Sequence, residues 1–372
     1  MPVTFETRNL AVGYNKNILI QGINIHLVPG TILTLIGPNG AGKSTILKTI
    51  TRQLRALRGM VLFDEISAAE LSSKEFAKKT SVVLTERVAP ERMTCAEVTA
   101  MGRYPYTDLF GSLSEHDIRI VRESLERVHA LDLADRDFSE LSDGQRQRIL
   151  LARAICQEPE IIVLDEPTAY LDIRYKIEML EILQKMAREK GTIVIMSLHE
   201  IDLAMKISDE LLCIDGKNIT AYGTPEEIFS SNAVEKLYGL HNETYNPIFG
   251  SVEMPKTSGE PLVFVIAGNG KGTPFFRLLQ RRGIPFAAGI LFENDVDCQT
   301  AVSLSDYVVI SKAFEPISAA EINLAQQFLL KCKYVLDSGA VIGSFNKANR
   351  DLLSFAEKNN IPVCKSIGEL PL

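Results

Sequence analysis

The sequence predicts an α/β protein built on parallel sheets and divided into two domains. Three observations lead there. Residues 37–45 read GPNGAGKST directly after the apolar run 31–36, so a strand, a glycine-rich turn and a helix start follow one another. From residue 161 to 215 short apolar runs alternate with helical patterns, the order that lays parallel strands in one sheet with helices on its faces. After the stretch 246–261, with three Pro and two Gly, the same alternation starts again, so that stretch reads as a linker. The 372 residues, 46% apolar, also exceed what one core usually holds.

Each element follows in order. Residues 1–36 alternate short β-like runs with turns at Val12-Gly13-Tyr14 and Pro29-Gly30. Residues 44–57 lack Pro and Gly and read as a helix. MVLF at 60–63 and SVVL at 81–84 return to strand character, and 94–160 read mostly as helix. Within that stretch SEHDIRIVRESLERV opens on Ser114, a capping residue, and repeats apolar residues at helical spacing. Then come a strand at 161–165, a helix over about 175–189, a strand at 192–197, a helix after His199 and a strand at 211–215. In the last third, strands are read at 262–267, 307–311 and 334–339, and helices at 275–282, 318–331 and 347–359. The residues before Glu293 read as loop.

Composition narrows the function. Apolar runs stop short of the roughly 18–20 residues of a membrane span. MPVTFETRNL has no basic region followed by an apolar stretch, so no secretory signal is expected. Six cysteines without CxxC spacing point to reduced thiols. A net charge of -7 without a basic run does not favour nucleic acid as a partner.

Residues 37–44 fit GxxxxGK[ST]. Gly37, Gly40 and Gly42 let backbone N–H groups converge on phosphate oxygens, with Pro38, Asn39 and Ala41 completing the loop. The helix that opens at about Lys43 aims its positive end at the same anion. Lys43 is placed to reach the β- and γ-phosphates and Ser44 to ligate Mg2+, with Thr45 beside it. IIVLD at 161–165, followed by Glu166, reads as a buried parallel strand whose carboxyl end carries two acids. Asp165 is expected to hold Mg2+ through water and Glu166 to orient the attacking water, because adjacent strand positions point opposite ways. Leu141-Ser142-Asp143-Gly144-Gln145 precedes a helix over 146–157. The Ser142 hydroxyl and Gly144 amide make a second anion site there, and Ser142 or Asp143 also suits as an ordinary cap. His199 ends a parallel strand at the same sheet edge as Asp165 and suits a γ-phosphate sensor, although a lone His is usually a surface or core residue. Tyr14 fits a partly buried ring as well as one stacked on adenine.

In this order the motifs resemble those of the ATP-binding-cassette ATPases, over residues 3–240. Walker A falls at 37–45, the signature at 141–145, Walker B at 161–166, the D-loop at Ala169-Tyr-Leu-Asp172, the switch histidine at His199, and Tyr14 at the aromatic A-loop position. The resemblance implies a P-loop NTPase cassette over 1–245, with a RecA-like core, an antiparallel β subdomain and a helical subdomain near 88–158. It implies ATP and Mg2+ as cofactors and ATP hydrolysis by Lys43, Glu166 and His199. It also implies a head-to-tail homodimer, in which Ser142, Gly144, Gln145 and Asp172 of one copy close on ATP held by the other. That would explain the second anion site.

Among cassettes the chain is similar to the ATPases of iron-chelate (siderophore or haem) and cobalamin importers, through VTAMGRYPY at 98–106 and LSDGQRQR at 141–148. Such subunits sit peripherally on the cytoplasmic face of the plasma membrane. They dock on a separate integral membrane permease, which a substrate-binding protein serves. Two departures stand out. The family's Gln after the strand at 81–84 is replaced by Thr85-Glu86-Arg87. Thr85 is the nearest aligned position, and Glu86 offers a carboxylate to the metal instead. Asp143 stands where the signature commonly has Gly. At about 7 Å and an effective dielectric of about 20, its charge would oppose each phosphate charge by roughly 2 kcal/mol. Asp143 is therefore expected to turn away, capping the helix or pairing with Arg146.

Residues 262–372 read as a smaller Rossmann-like domain. Gly268-Asn-Gly-Lys-Gly272-Thr273 follows a strand and precedes a helix, but Thr273 stands where a dinucleotide fingerprint needs Gly or Ala. Glu293 and Asp295 lie near the ribose-binding offset. A regulatory domain that binds another ligand or its own copy is the expectation, motivated by this turn. The alternative to transport is a soluble cassette ATPase acting on ribosomes, DNA or cofactor assembly. Paired cassettes or a long coiled coil would favour it, and the sequence has neither.

Overall fold

The computed structural model describes residues 3–84, 92–108, 111–231, 233–239, 245–246 and 251–370. They fall into two units, Met1–Gly239 and Leu240–Leu372.

The first unit opens with β1 (Phe5–Tyr14) and β2 (Asn17–Leu27), which pair antiparallel; Phe5, Thr7, Leu10 and Val12 are buried. The chain then enters β3 (Ile32–Ile36), in which all five residues are buried, as a strand covered on both faces requires. The phosphate-loop residues follow, and then α1 (Lys43–Ile50). The helix is shorter than the 44–57 read from the sequence. Arg52 takes φ 62, its N–H turns back to the Thr49 carbonyl, and the Gln53 N–H turns back to that of Lys48. This Schellman stop normally carries Gly and is built here with Arg, so no Gly marked it. The chain returns to the first sheet through β4 (Arg58–Phe63) and β5 (Ile66–Ser67), giving the order β2-β1-β4-β5.

Then come α2 (Ser73–Lys79) and β6 (Thr80–Val83), followed by three helices: α3 (Cys95–Ala100), α4 (Glu115–Arg127) and α5 (Asp143–Cys156). Each of the three starts with a reciprocal capping box, Thr94 with Glu97, Ser114 with Asp117 and Ser142 with Gln145, so orphan amides are satisfied locally. Arg103, 3% exposed, ties these helices together. It donates to Asp117 at 2.8 Å, to the Cys156 carbonyl at 2.8 Å and to Glu158 at 3.0 Å.

The remaining elements of this unit are β7 (Ile161–Asp165), α6 (Ile173–Lys190), β8 (Ile193–Ser197), α7 (Ile201–Ile207), β9 (Glu210–Ile214), β10 (Ile219–Gly223), α8 (Pro225–Phe229) and α9 (Ala233–Tyr238). The central sheet runs β10-β9-β3-β8-β7-β6, parallel except for β10 at the edge. One core joins it to the antiparallel sheet through Phe5, Leu10, Leu35, Ile46, Phe63 and Val163. Register sets Leu35, Ser197 and Asp165 side by side, which brings the carboxyl ends of β3, β8 and β7 to one edge.

The second unit begins with a short antiparallel pair, β11 (Tyr245–Asn246) and β12 (Ser251–Val252). Its main sheet is built from β13 (Val263–Ile266), α10 (Thr273–Arg281), β14 (Phe286–Phe292), α11 (Val296–Leu304), β15 (Tyr307–Ser311), α12 (Ala319–Lys331), β16 (Tyr334–Asp337), α13 (Ala348–Lys358) and β17 (Val363–Cys364). The strands are parallel in the order β15-β14-β13-β16-β17, with an apolar core on each face. The stretch read as loop before Glu293 is β14, a buried interior strand. Ala287, Ala288 and Gly289 had diluted its apolar signal. Buried Asn349 bonds the Ile290 N–H at 2.7 Å and its carbonyl at 3.1 Å. Part of the stretch read as linker is fastened to this unit: Glu253 pairs with Arg277, and Lys256 lies 3.0 Å from Asp306. Among the described residues, no helix is long and apolar enough to cross a membrane.

Candidate functional site

The phosphate-loop residues join β3 to α1. Gly37 has φ 154, and a Cβ there would stand 2.1 Å from the Ile214 carbonyl oxygen, so no side chain fits. Gly40 and Gly42 take φ 78 and 95, the left-handed region that favours glycine. Lys43 is 5% exposed, and its Nζ donates to the carbonyls of Gly37 at 2.7 Å and Pro38 at 3.0 Å. Burial pulls its pKa down, while the charges of Glu166 and Asp165 pull it up. Among the described residues this buried ammonium bonds carbonyls and faces two acids, an arrangement able to take an anion. The Tyr14 hydroxyl lies 3.2 Å from Thr45 Oγ1, with the ring half exposed beside the first turn of α1.

The acids stand at the end of β7. Asp165 is 2% exposed. Ser197 Oγ donates to its Oδ1 at 2.6 Å and accepts the Glu166 N–H at 2.9 Å, so one hydroxyl holds both acids. Glu166 turns off the strand with φ 50, and His199 Nε2 lies 2.5 Å from its Oε1. Lys43, Asp165, Glu166 and His199, far apart in the chain, thus gather at one sheet edge.

The signature forms a separate feature. Ser142 caps α5, and Ser142, Asp143, Gly144 and Gln145 share a surface hollow of about 510 Å³ with Arg148, Tyr170, Leu171, Asp172 and Tyr175. Asp172 caps α6 by accepting the Tyr175 N–H at 3.1 Å. Asp143 does not cap; it sits 3.5 Å from Arg146 within α5. Thr85 and Glu86, the candidates for the missing Gln, lie outside the described residues.

Two functional neighbours escaped the sequence reading. Ser197 was hidden inside an apolar strand, its hydroxyl the only signal. Tyr238 accepts the Gly37 N–H at 3.2 Å across 201 residues, and no local pattern marks it.

The glycine turn of the second unit is built differently from its appearance. Asp297, fully buried, accepts the N–H groups of Gly268 at 2.9 Å, Gly272 at 2.8 Å and Thr273 at 2.7 Å, and the Thr273 hydroxyl at 2.8 Å. Asp295 accepts from the Asn269 N–H at 2.8 Å. An internal carboxylate already collects the amides that a phosphate would need. The turn serves the fold and no longer motivates a ligand.

Fold and site define a nucleotide-hydrolysing cassette. The model of the family "ABC transporter" matches residues 20–169, and that of the MJ0874 family matches 286–366. The uncharacterized ABC transporter ATP-binding protein MJ0873 of Methanocaldococcus jannaschii is 43% identical over 287 residues, covering 77% of this chain and 99% of that protein. The ferric enterobactin transport ATP-binding protein FepC of Escherichia coli is 35% identical over 231 residues, covering 62% and 85%. The cobalamin import ATP-binding protein BtuD of Halobacterium salinarum is 28% identical over 306 residues, covering 80% and 76%. Among solved structures, cbiO1 of Clostridium perfringens, part of the ABC transporter complex cbiONQ, aligns with a TM-score of 0.53 at 25% identity, over 66% of this chain and 96% of that one. The chain belongs to the ATP-binding proteins of ABC transporters, and it is an ATPase.

Proposed function

We propose that this ATPase powers import of an iron chelate, haem or a corrinoid. It would do so as a head-to-tail homodimer docked on a separate membrane permease at the cytoplasmic face, with a substrate-binding protein supplying the cargo. The likeness to FepC and BtuD, which serve ferric enterobactin transport and cobalamin import, supports the cargo class. The observation that carries the mechanism is the convergence of Lys43, Asp165, Glu166 and His199 at one sheet edge, with His199 on Glu166.

In this reading Lys43 and the loop amides that follow Pro38 hold the phosphates, and Tyr14 takes the adenine ring. Glu166 orients water for in-line attack on the γ-phosphate, and His199 holds that phosphate. The Ser142, Gly144, Gln145 and Asp172 hollow meets the ATP of the second copy. The donors suit Mg2+, because the Ser44 hydroxyl and the Asp165 carboxylate are hard oxygens. This ion usually takes one or two protein groups, with phosphates and water supplying the rest. When bound, the ion neutralises phosphate charge.

Glu166→Gln tests the assignment. It should keep ATP binding, lose hydrolysis and accumulate an ATP-bound dimer; turnover at the wild-type rate would refute the role of Glu166. Co-purification with an integral membrane permease separates transport from a soluble role.

A further inference from the structure

We infer that Tyr238 is a positioning residue for the phosphate loop, acting through the amide of Gly37. Gly37 is the first residue beyond β3, and three groups hold it. Its N–H donates to the Tyr238 phenol oxygen at 3.2 Å, its carbonyl accepts from Lys43 Nζ at 2.7 Å, and the Ile214 carbonyl occupies the place of a side chain. Among the described residues, Tyr238 and Lys43 are the side chains bonded to Gly37.

Tyr238 ends α9, the last helix of the first unit. Burial raises its phenol to about 12, so the hydroxyl stays neutral and keeps its hydrogen-bonding role at any ordinary pH. The inference rests on the reading of 37–45 as the ATP site. In that reading Lys43 turns from the Gly37 carbonyl to the phosphates, and Tyr238 remains as the side chain anchoring the start of the loop. An unanchored Gly37 lets the following amides drift from the geometry in which they converge, and the loss falls on nucleotide binding.

Tyr238→Phe keeps the ring and removes the hydroxyl. In the full chain the Kd and KM for MgATP should rise roughly threefold to tenfold, the net effect of one hydrogen bond. The kcat should stay within about twofold, because the interaction serves substrate and transition state alike. Hydrogen exchange of a peptide spanning residues 37–43 should quicken without nucleotide, with β8 unchanged. A role in packing alone would lower the melting temperature and leave the KM-against-kcat split absent. Wild-type Kd, KM and exchange in Tyr238→Phe would overturn the inference.

Lys43→Ala, assayed in parallel, separates the two readings. If it binds MgATP like the wild type, the ATP-site reading falls. If it loses ATP while Tyr238→Phe is unchanged, only the role of Tyr238 falls.

Discussion

Ser197→Ala is the sharpest test of how this site is held. The hydroxyl is fully buried and serves two groups, the Asp165 carboxylate at 2.6 Å and the Glu166 N–H at 2.9 Å. A hydrogen bond to an ionised group is worth about 1.5–3 kcal/mol, and an orphaned buried N–H costs about 1–3 kcal/mol. The two losses overlap because the strand ends can relax, so roughly 3 kcal/mol is expected. For a unit of this size that lowers the melting temperature by about 6–12 °C. Calorimetry of the full chain should show the drop in the transition protected by MgATP. The kcat should fall as well, since Glu166 loses the bond that fixes its backbone. A double-mutant cycle with Asp165→Asn isolates the pair and should give a coupling of about 1 kcal/mol or more. Additive losses, or a Ser197→Ala protein that melts and turns over like the wild type, would refute the claim that this hydroxyl couples the two acids.

Two further outcomes follow from buried carboxylates. The Asp117 carboxyl is held down to about 2 from an ordinary 3.8, first by the Ser114 hydroxyl and then by Arg103. Its contribution of about 2 kcal/mol is therefore complete above pH 3.8 and is lost as pH falls through about 2, and Asp117→Asn should flatten that part of an acid-unfolding curve while lowering stability at neutral pH. Asp297→Asn keeps one acceptor oxygen and puts its NH2 either against the N–H groups of Gly268 and Gly272 or against the N–H and hydroxyl of Thr273, and should destabilise the second unit by roughly 3 kcal/mol in denaturant unfolding while leaving ATPase activity unchanged; unaltered unfolding would show that the turn does not depend on the carboxylate.

Much of the fold was readable because its strongest signals are short-ranged. β3, β7 and β8 are largely apolar runs, and the candidate site residues lie at their carboxyl ends or within a few positions beyond. The phosphate loop announces itself within nine residues. What could not be read depends on contacts across the chain or on one backbone angle. Arg52 stops α1 by adopting a conformation its identity does not advertise. Ser197 reaches Asp165 across 32 residues, and Tyr238 reaches Gly37 across 201. No window along the sequence holds both partners.

The two glycine turns show how such a contact decides function. Each follows a buried parallel strand and opens a helix. They differ in the charge of the side chain that reaches back. In the first turn it is a cation, Lys43, which bonds carbonyls and leaves an anion welcome. In the second it is an anion, Asp297, which takes the amides itself and repels another negative group. Asp297 lies 24 residues beyond Thr273, on α11, the next helix in the chain. The local glycine pattern therefore states that amides converge, and only the fold states what they converge on. Glycines between a buried strand and a helix, taken alone, would admit both turns, although only the first fits GxxxxGK[ST]. The sign of the buried partner separates them.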